Sequence, residues 1–354
     1  MKGLVLAGGH GTRLRPLTFS GNKHMLPIAN KPMIAYSIDH LKAAGITDIG
    51  IILGPISEGI VEFLGNGSGL AVNLTYIEQS EPKGLAHAVK VARPFLGEDD
   101  FVMYLGDNML ESGPKHLIDT FVSSSCDCVI GITRVKDPSR YGVVELKDGK
   151  ITRLIEKPTE FVSDLALIGV YVFNKKIHEV IDTIKLSWRN ELEITDAIQA
   201  ILDMGGEIRV EHVKGWWKDA GRGEDLIDAN RLVLSQLKSD IRGIVDEGAS
   251  VVGNIAIGEG TVVKSGSKLL GPLIIGKNCS VGPNVYIGPY TSVGDGTIIE
   301  ETEVENSILM ENCKLFGAGR IVDSLIGKQS TISSVNGLPR GKRMMVGEQS
   351  VLEL

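Results

Sequence analysis

The feature that most constrains this chain is an apolar repeat of period six in its last third. A helix repeats about every 3.6 residues and a strand every two, so neither element alone accounts for this period. The repeat instead predicts a parallel β-helix, in which each six-residue unit forms one face of a triangular coil with its aliphatic side chain pointing inward. The repeat loses its phase near Glu305 and returns weakly at Ile326 and Ile332. The unbroken part consists of Val245, Val251, Ile257, Val263, Leu269, Ile275, Val281, Ile287, Val293 and Ile299.

The first 240 residues follow a different pattern, in which short β-rich runs alternate with amphipathic segments. Strands are predicted at 2–7, 48–53, 73–78, 101–106 and 128–135, and helices at 31–44 and from Gly84 onward. Strands alternating with helices favour a mostly parallel sheet covered on both faces. Such sheets bind ligands at the carboxyl ends of their strands. We therefore predict an α/β domain over 1–240 and a β-helix domain over 241–354.

Composition excludes several classes of function. The net charge of −7 leaves no broad basic face for nucleic acid. A substrate rich in phosphate must then be bound by a few local cations and a metal ion. No signal peptide and no run of roughly 18 apolar residues is found, so we expect no membrane partner. The four cysteines form no C-x-x-C pair, which favours free thiols in a cytoplasmic protein.

A glycine-rich loop follows the first predicted strand. Glycine lets the backbone approach a phosphate closely, and its N–H groups can bind the anion. The loop is neither a Walker A motif nor G-x-G-x-x-G, and alone it could be a simple strand-to-helix turn. The cations Arg13 and Lys23 that follow favour a phosphate site. The candidate nucleotide-binding residues of this loop are Leu6, Gly8, Gly9, Gly11 and Thr12.

Three motifs in this region are specific in combination: L-A-G-G-x-G-T-R-L-x-P-L-T at 6–18, N-K-x-x-L-P-I at 22–28 and N-K-P-M-I at 30–34. Together they resemble the sugar-1-phosphate nucleotidyltransferases, and the resemblance extends along essentially the whole chain. It is strongest to members that carry a C-terminal left-handed β-helix. The resemblance implies a Rossmann-like nucleotidyltransferase domain with a mostly parallel mixed sheet, followed by that β-helix. The implied cofactor is Mg²⁺, and the implied products are a nucleotide-sugar and pyrophosphate.

The resemblance also implies a role for each motif residue. Catalysis would depend on three cations: Lys23 on the α-phosphate, Arg13 on the departing pyrophosphate and Lys157 on the attacking sugar phosphate. Asp107 of L-G-D-N and Asp219 of W-x-D-x-G would bind the metal, and Asp107 would also contact the nucleotide. The base would be read by Gln79, whose amide offers both a donor and an acceptor, within a loop that also includes Pro82, Gly84 and Leu85.

The sugar-phosphate site implied by the resemblance is spread over five segments of the chain. Residues of this site and of the metal site also have plainer interpretations. Asp107 could be a helix N-cap, Lys157 a solvated charge, and Tyr141 and Trp217 ordinary half-buried aromatics. The implied residues are Tyr141, Gly142, Glu156, Lys157, Ile168, Gly169, Glu191 and Trp217.

The motifs indicate the particular substrates less specifically than they indicate the type of reaction. Gly84-Leu85-Ala86 resembles the thymidylyl branch of the family, which implies dTTP and glucose 1-phosphate as substrates and dTDP-glucose as product. UTP with glucose or N-acetylglucosamine 1-phosphate is the alternative, and a catalytically inactive regulatory or scaffold homologue is a more distant one. Since the repeat region contains no histidine, it lacks the usual general base of an acetyltransferase. We interpret it as an assembly or stabilising module and expect a homo-oligomer.

Overall fold

The computed structural model describes residues 1–9, 11–19, 21–57, 59–334 and 348–352. Its internal contacts divide the chain into two compact units. The first unit comprises Met1–Gly11, Gly21–Met25 and Met33–Asp219. The second comprises Thr12–Ser20, Leu26–Pro32 and Ala220–Leu354. The domain boundary expected at residue 240 stays a prediction.

The part of the chain before residue 240 is built from short strands and helices in alternation. Its strands are β1 Lys2–Ala7, β2 Pro27–Ile28, β3 Lys31–Pro32, β4 Asp48–Leu53, β5 Asn73–Glu78, β6 Phe101–Leu105, β7 Asn108–Leu110, β8 Cys128–Arg134, β9 Gly142–Lys147, β10 Lys150–Glu156, β11 Leu165–Phe173, β12 Ile208–His212 and β13 Trp217–Asp219. Its α-helices are α1 Met33–Ala43, α2 Ile60–Leu64, α3 Leu85–Val91, α4 Arg93–Leu96, α5 Lys115–Ser123, α6 Lys176–Ile181, α7 Ile194–Asp203 and α8 Gly223–Leu234. Short 3₁₀ helices cover Thr12–Leu14, Lys23–Met25, Ser68–Leu70 and Pro138–Arg140.

One mixed sheet of nine strands organises the first unit. Strand β1 lies in its middle and pairs in parallel with β4 and β6, and β5 extends the parallel part beyond β4. On the other side, β11 runs antiparallel to β6 and also pairs with β8 and β9. The carboxyl ends of β1, β4, β5 and β6 therefore meet at one edge of the sheet. This arrangement confirms the predicted α/β class.

The central strands are buried on both faces. Leu4 and Leu6 of β1 pack into a cluster with α3, α6 and α7, whereas Val5 and Ala7 pack into a second cluster with α1, α2 and α5. A parallel strand covered by helices on both sides reads as a continuous apolar run, which is what β1 shows. The predicted helix at 31 begins two residues later, because Lys31–Pro32 pairs with Pro27–Ile28 and a residue before proline disfavours helical geometry.

The repeat region folds as the predicted parallel β-helix, with aliphatic side chains stacked from coil to coil. Val245 pairs with Val263, Val263 with Val281 and Val281 with Ile299, so that one coil takes three six-residue units. Its strands are β14 Asp240–Ile241, β15 Ile244–Val245, β16 Ser250–Val252, β17 Ile255–Ile257, β18 Val262–Val263, β19 Lys268–Leu270, β20 Leu273–Ile275, β21 Ser280–Val281, β22 Tyr286–Ile287, β23 Thr291–Val293, β24 Ile298–Glu305, β25 Ile308–Leu309, β26 Lys314–Val322, β27 Leu325–Ile326 and β28 Thr331–Ser333.

The loss of phase near Glu305 has a structural cause. Strand β24 runs through eight residues, with an irregularity in its pairing to β26 between Glu300 and Thr302. Both β21 and β22 pair with this one strand. A continuous strand thus replaces a corner between two short ones. Coils after this point contain fewer than 18 residues, and the period of six is lost there.

Removing one stacked side chain from the β-helix should measurably destabilise the protein. Ile287 is fully buried and pairs with Leu269 below and Val304 above. Ile287→Ala is expected to lower the free energy of unfolding by about 2–5 kcal/mol, because the lost transfer energy and the new cavity act together. Urea titration followed by circular dichroism measures this. Leu270→Ala, at a side chain 40% exposed, is the control and should change stability by less than about 1 kcal/mol.

Two further expectations concern cysteine chemistry and membranes. All four cysteines are buried free thiols, as predicted. None of the helices in the described part of the chain is long and apolar enough to cross a lipid bilayer.

Candidate active site

The glycine loop leaves β1 between two of the predicted site residues. A β-carbon on Gly8 would lie 3.2 Å from Oε1 of Gln79, and a β-carbon on Gly9 would lie 3.0 Å from Cε of Lys23. Gly54, at the end of β4, lies so close to the carbonyl of Gly8 that a β-carbon there would collide with it. The loop can take this narrow path only because these residues have no side chains. It thus brings the predicted base-reading amide and the predicted catalytic lysine to the same place.

Lys23 is positioned by its neighbour Asn22, which sequence reasoning did not select. The Asn22 side chain is 3% exposed, and its Nδ2 donates to the carbonyls of Ala7 at 3.1 Å and Ile56 at 2.5 Å. Its Oδ1 accepts the backbone N–H of His24 at 2.8 Å and the ring Nδ1–H at 2.6 Å. Asn22 therefore connects the end of β1, the loop after β4 and the short helix that carries Lys23. Its position inside the N-K motif was the available signal.

Lys23 forms an ion pair with Asp107, the predicted metal ligand. Asp107 lies in the turn between β6 and β7, so the helix N-cap interpretation is wrong. The preceding Gly106 donates its N–H to the carbonyl of Leu6 at 3.0 Å, which holds this turn against the glycine loop. Burial raises the pKa of the Asp107 carboxyl, but the Lys23 charge and hydrogen bond outweigh burial and hold that pKa well below its usual range. The carboxylate is therefore ionised and available to a cation.

His24 is buried beside this ion pair and stays neutral. Burial, followed by the charge of Lys23, lowers the pKa of His24 to about 3, although Asp107 acts in the opposite direction. The unfolded chain binds a proton at this histidine below about pH 6.5. Between about pH 6.5 and pH 3 the unfolded state therefore holds more protons than the folded state, and stability is lost as the pH falls.

We expect His24→Gln to remove this part of the pH dependence. Between pH 6 and pH 4 the wild type should lose about 2 kcal/mol more unfolding free energy than the variant, since one proton of difference contributes about 1.4 kcal/mol per pH unit. Urea titrations at pH 6, 5 and 4 give this slope. If the unfolding free energies of the wild type and the variant fell equally between pH 6 and pH 4, the result would contradict this role of His24.

The second predicted metal ligand, Asp219, lies on a strand that pairs with the segment following Asp107. Strand β13 pairs antiparallel with β7, which places Asp219 opposite Asn108, the residue after Asp107. Among the described residues, no group of three or more His, Cys, Asp or Glu side chains is arranged to hold a metal. Magnesium commonly uses one or two carboxylates and takes its other ligands from substrate phosphates and water. Asp107 and Asp219, on paired segments of the backbone, offer the two carboxylates that such an ion commonly uses.

A hydrogen-bonded chain connects this carboxylate pair with predicted sugar-site residues. Trp217 donates its indole N–H to Oδ1 of Asn108 at 2.8 Å and to the carbonyl of Ile168 at 3.0 Å. Asn108 in turn donates to Oδ1 of Asp107 at 3.1 Å. The rings of Trp217 and Tyr141 meet edge to face at 5.3 Å between centroids. Asn108 therefore links the Asp107 carboxylate to the predicted sugar-site residue Trp217. Sequence reasoning did not select it.

Gly169 makes room for Asn108. It has a φ of 71° within the irregular part of β11, and a β-carbon would lie 3.0 Å from the Asn108 amide. Ile168, beside it, is fully buried and contributes its carbonyl. These two predicted residues therefore act through their backbone in this structure.

The predicted base loop is held against the segment that contains Glu191. The Gln79 amide donates to the carbonyl of Gly84 at 3.2 Å. Gly84 has a φ of 101° and lies so close to the Leu192 backbone that a β-carbon would collide with it. Two backbone hydrogen bonds, from Leu192 to Lys83 at 2.7 Å and from Ala86 to Leu192 at 3.0 Å, complete the contact. Within this loop, Pro82 is exposed and Leu85 is half-buried.

The predicted sugar residues Gly142 and Glu156 lie opposite each other on β9 and β10. A β-carbon on Gly142 would lie 2.9 Å from Oε2 of Glu156, and that oxygen also accepts the Thr195 hydroxyl at 2.9 Å. Lys157 follows at the end of β10, and its backbone N–H donates to the carbonyl of Tyr141 at 3.0 Å. Its ammonium lies 3.5 Å from Oε1 of Glu156. The structure thus brings Tyr141, Gly142, Glu156 and Lys157 together.

Arg189, which sequence reasoning did not select, connects three carboxylates. Its guanidinium lies 2.9 Å from Glu191, 3.2 Å from Glu193 and 3.6 Å from Glu156. Burial raises the pKa of Glu191, and Arg189 partly offsets this effect. Because an arginine can bind several carboxylates at fixed angles, it fixes Glu191 relative to Glu156. The short spacing to Glu191 and Glu193 was the only signal in the sequence.

Thr12 and Arg13 belong to a different compact unit of the chain from the residues described above. They begin the 3₁₀ helix Thr12–Leu14 in the second compact unit, and both side chains are exposed. Gly11, which ends the first segment of the first unit, has a φ of 62°. Their predicted contacts with the triphosphate stay predictions.

Comparison with known proteins identifies the family. The model of the nucleotidyl transferase family matches residues 2–236, well over half of the chain. The chain belongs to this family. A second model, the GMPPB C-terminal domain, matches residues 269–352 within the β-helix part. The family assignment agrees with the resemblance found in the sequence motifs.

Three relatives show how far the similarity extends. Glucose-1-phosphate thymidylyltransferase of Streptomyces griseus is 43% identical over 351 residues, covering 99% of this chain and 98% of that protein. The low-salt glycan biosynthesis nucleotidyltransferase Agl11 of Haloferax volcanii is 45% identical over 369 residues, covering 100% of both. The crystal structure of UDP-glucose pyrophosphorylase complexed with UDP-glucose has a TM-score of 0.59 and 28% identity, covering 66% of this chain and 98% of that one. The two full-length relatives therefore match the α/β part and the β-helix part together.

Proposed function

We propose that this nucleotidyl transferase moves the thymidylyl group of dTTP to glucose 1-phosphate, forming dTDP-glucose and pyrophosphate. The observation that carries the proposal is the convergence of the glycine loop, Gln79, Lys23 and Asp107 at the carboxyl edge of β1 and β6. The full-length similarity to a glucose-1-phosphate thymidylyltransferase supports the choice of substrates.

The chemistry requires charge neutralisation more than acid–base catalysis. The attacking phosphate oxygen is already an anion, so no general base is needed. The obstacle is repulsion between two polyanions, which positioning and fixed positive charge overcome. In this proposal Lys23 binds the α-phosphate, Arg13 the departing pyrophosphate and Lys157 the attacking phosphate. Lys23 and Lys157 are carried by separate elements of the first unit, as two substrates that approach each other require.

The proposal includes a divalent metal at the same site. Asp107 and Asp219 would hold Mg²⁺, which supplies positive charge to the triphosphate when bound. The chain of hydrogen bonds from Trp217 through Asn108 fixes the direction of the Asp107 carboxylate. Binding of the sugar beside Trp217 would then be linked to the position of that carboxylate.

Base and sugar choice follow from the loops around Gln79 and Glu156. In this proposal the Gln79 amide, which lies between Gly8 and Gly84, reads the pyrimidine edge by exchanging its hydrogen bonds to the Gly84 carbonyl and His87 for bonds to the base. The apolar Leu85 that follows suits a deoxyribose. Since such pocket preferences are modest, UTP should be used more slowly than dTTP. Homo-oligomerisation through the β-helix and a cytoplasmic location belong to the same proposal.

Pyrophosphate release tests this function. Purified protein with Mg²⁺ is assayed with dTTP, UTP, GTP, ATP and CTP against the 1-phosphates of glucose, galactose and N-acetylglucosamine. We expect the highest kcat/KM with dTTP and glucose 1-phosphate. A clear preference for UTP would favour the uridylyl alternative. Release with none of the fifteen pairs, from protein shown to be folded, would favour the inactive homologue.

A further inference from the structure

An exposed tryptophan lies beside the predicted sugar-phosphate residues. Trp188 is 79% exposed, whereas Trp216 and Trp217 are half-buried. It belongs to the loop between α6 and α7 that leads into Glu191 and Glu193. A large aromatic side chain left in water forgoes a substantial burial energy. Its exposure leaves the face of the indole open to a ligand at this site.

The backbone that carries Trp188 is firmly held. Ser187 donates its N–H to the carbonyl of Glu191 at 2.8 Å and its hydroxyl to Glu193 at 2.8 Å, and Asn190 donates its N–H back to Ser187 at 2.9 Å. The next residue, Arg189, binds Glu191, Glu193 and Glu156. The indole is thus presented on a fixed turn, so little conformational freedom is lost when it meets a ligand.

A cavity opens between this indole and the end of β10. Its volume is about 270 Å³, close to the lower end of the range for small-ligand pockets. Lys157 supplies a cation and Glu156 a hydrogen-bond acceptor, while Ile155, Pro158 and Trp188 supply an apolar wall. The lining residues are Ile155, Glu156, Lys157, Pro158, Thr159 and Trp188. This lining suits a ligand that combines an anion, a hydrogen-bond donor and an apolar face.

We propose that Trp188 forms the aromatic wall of the sugar 1-phosphate site and is a specificity-determining residue for the hexose. The C–H face of the pyranose ring packs on the indole, the phosphate binds Lys157 and a hydroxyl binds Glu156. This inference rests on the proposed function, since it adds the cavity and its indole to the sugar-phosphate site at Glu156 and Lys157. Trp188 contributes to binding of the sugar phosphate and not to binding of the triphosphate.

Kinetics of Trp188→Ala and Trp188→Phe test the inference. Trp188→Ala is expected to raise KM for glucose 1-phosphate about tenfold, since an aromatic contact of roughly 1.4 kcal/mol corresponds to one decade. KM for dTTP should stay within twofold. Trp188→Phe keeps a flat ring and should recover most of the loss. Phe161→Ala is the matched control, because Phe161 is 77% exposed on the neighbouring loop but does not line the cavity.

Binding can also be observed without turnover. Titration of the wild type with glucose 1-phosphate, in the absence of triphosphate, should change the tryptophan fluorescence. Trp188→Phe should show a smaller change, because only the tryptophans other than Trp188 then respond. Unaltered KM for glucose 1-phosphate in Trp188→Ala, with an active wild type, would overturn this inference alone. An equal KM increase in Phe161→Ala would overturn it too. A wild type that neither binds glucose 1-phosphate nor releases pyrophosphate would overturn both this inference and the proposed function.

Discussion

Replacement of Lys23 by alanine is expected to lower kcat/KM for pyrophosphate release by about 10³-fold. Lys23 lies against the glycine loop and forms an ion pair with Asp107. A fixed cation at a site of developing negative charge typically contributes 10²–10³ to turnover. The Lys23 and Asp107 side chains are only 16% and 13% exposed. The variant should therefore also lose about 1–3 kcal/mol of unfolding free energy, because the Asp107 carboxylate is left without its partner.

A surface lysine in a comparable ion pair provides the control for Lys23. Lys115 lies 2.8 Å from Asp119 one turn further along α5, with side chains more than 60% exposed. Lys115→Ala should change stability by less than about 1 kcal/mol and leave turnover unchanged. Steady-state kinetics and urea titration on both variants give the comparison. Full activity in Lys23→Ala would remove the basis of the proposed mechanism. Arg13→Ala, like Lys23→Ala, is expected to lower turnover.

Replacement of Asp219 by asparagine is expected to change the metal dependence of the reaction. Asp219 lies opposite Asn108, the residue that follows Asp107, in the β13–β7 pairing. Loss of one of two carboxylate ligands should raise the Mg²⁺ concentration for half-maximal rate at least about tenfold and lower the maximal rate about 10²-fold. Asparagine has nearly the same shape, so the fold should be kept.

Two measurements separate metal binding from general damage in Asp219→Asn. Pyrophosphate release as a function of Mg²⁺ gives the kinetic requirement, and calorimetric titration with Mn²⁺ in the presence of dTTP gives binding directly. Asp119→Asn, at an exposed carboxylate on α5, should leave both curves unchanged. An unaltered Mg²⁺ curve for Asp219→Asn would remove Asp219 from the metal site.

The β-helix could be predicted from the sequence because its core is made by one repeated contact. Val263, Val281 and Ile299 each stack on the residue three hexapeptides away. A contact repeated at fixed spacing leaves a period that can be read directly. Where β24 runs straight through a corner near Glu300, the period is lost. The sequence indicated that the repeat is interrupted in this region, but it did not indicate that a continuous strand replaces a corner.

The candidate site could be predicted in part. The parallel pairing of β1 with β4 and β6 brings their carboxyl ends together, so the glycine loop and Asp107 were expected to be neighbours. Asn22, Asn108 and Arg189 were not selected. Each makes at least one polar contact with a residue distant along the chain, and no period or composition in the sequence reveals such a contact.

The sequence by itself determined the two kinds of architecture and the residue types available for phosphate chemistry, because periodicity and short motifs are local properties of the chain. Only the tertiary structure decided which side chains meet. Asp107 is oriented through Asn108 by Trp217, which lies more than one hundred residues further along. Trp188 lines the cavity beside Lys157 because Arg189 fixes its loop to three carboxylates. These contacts depend on how distant strands and loops pack, which no local pattern encodes.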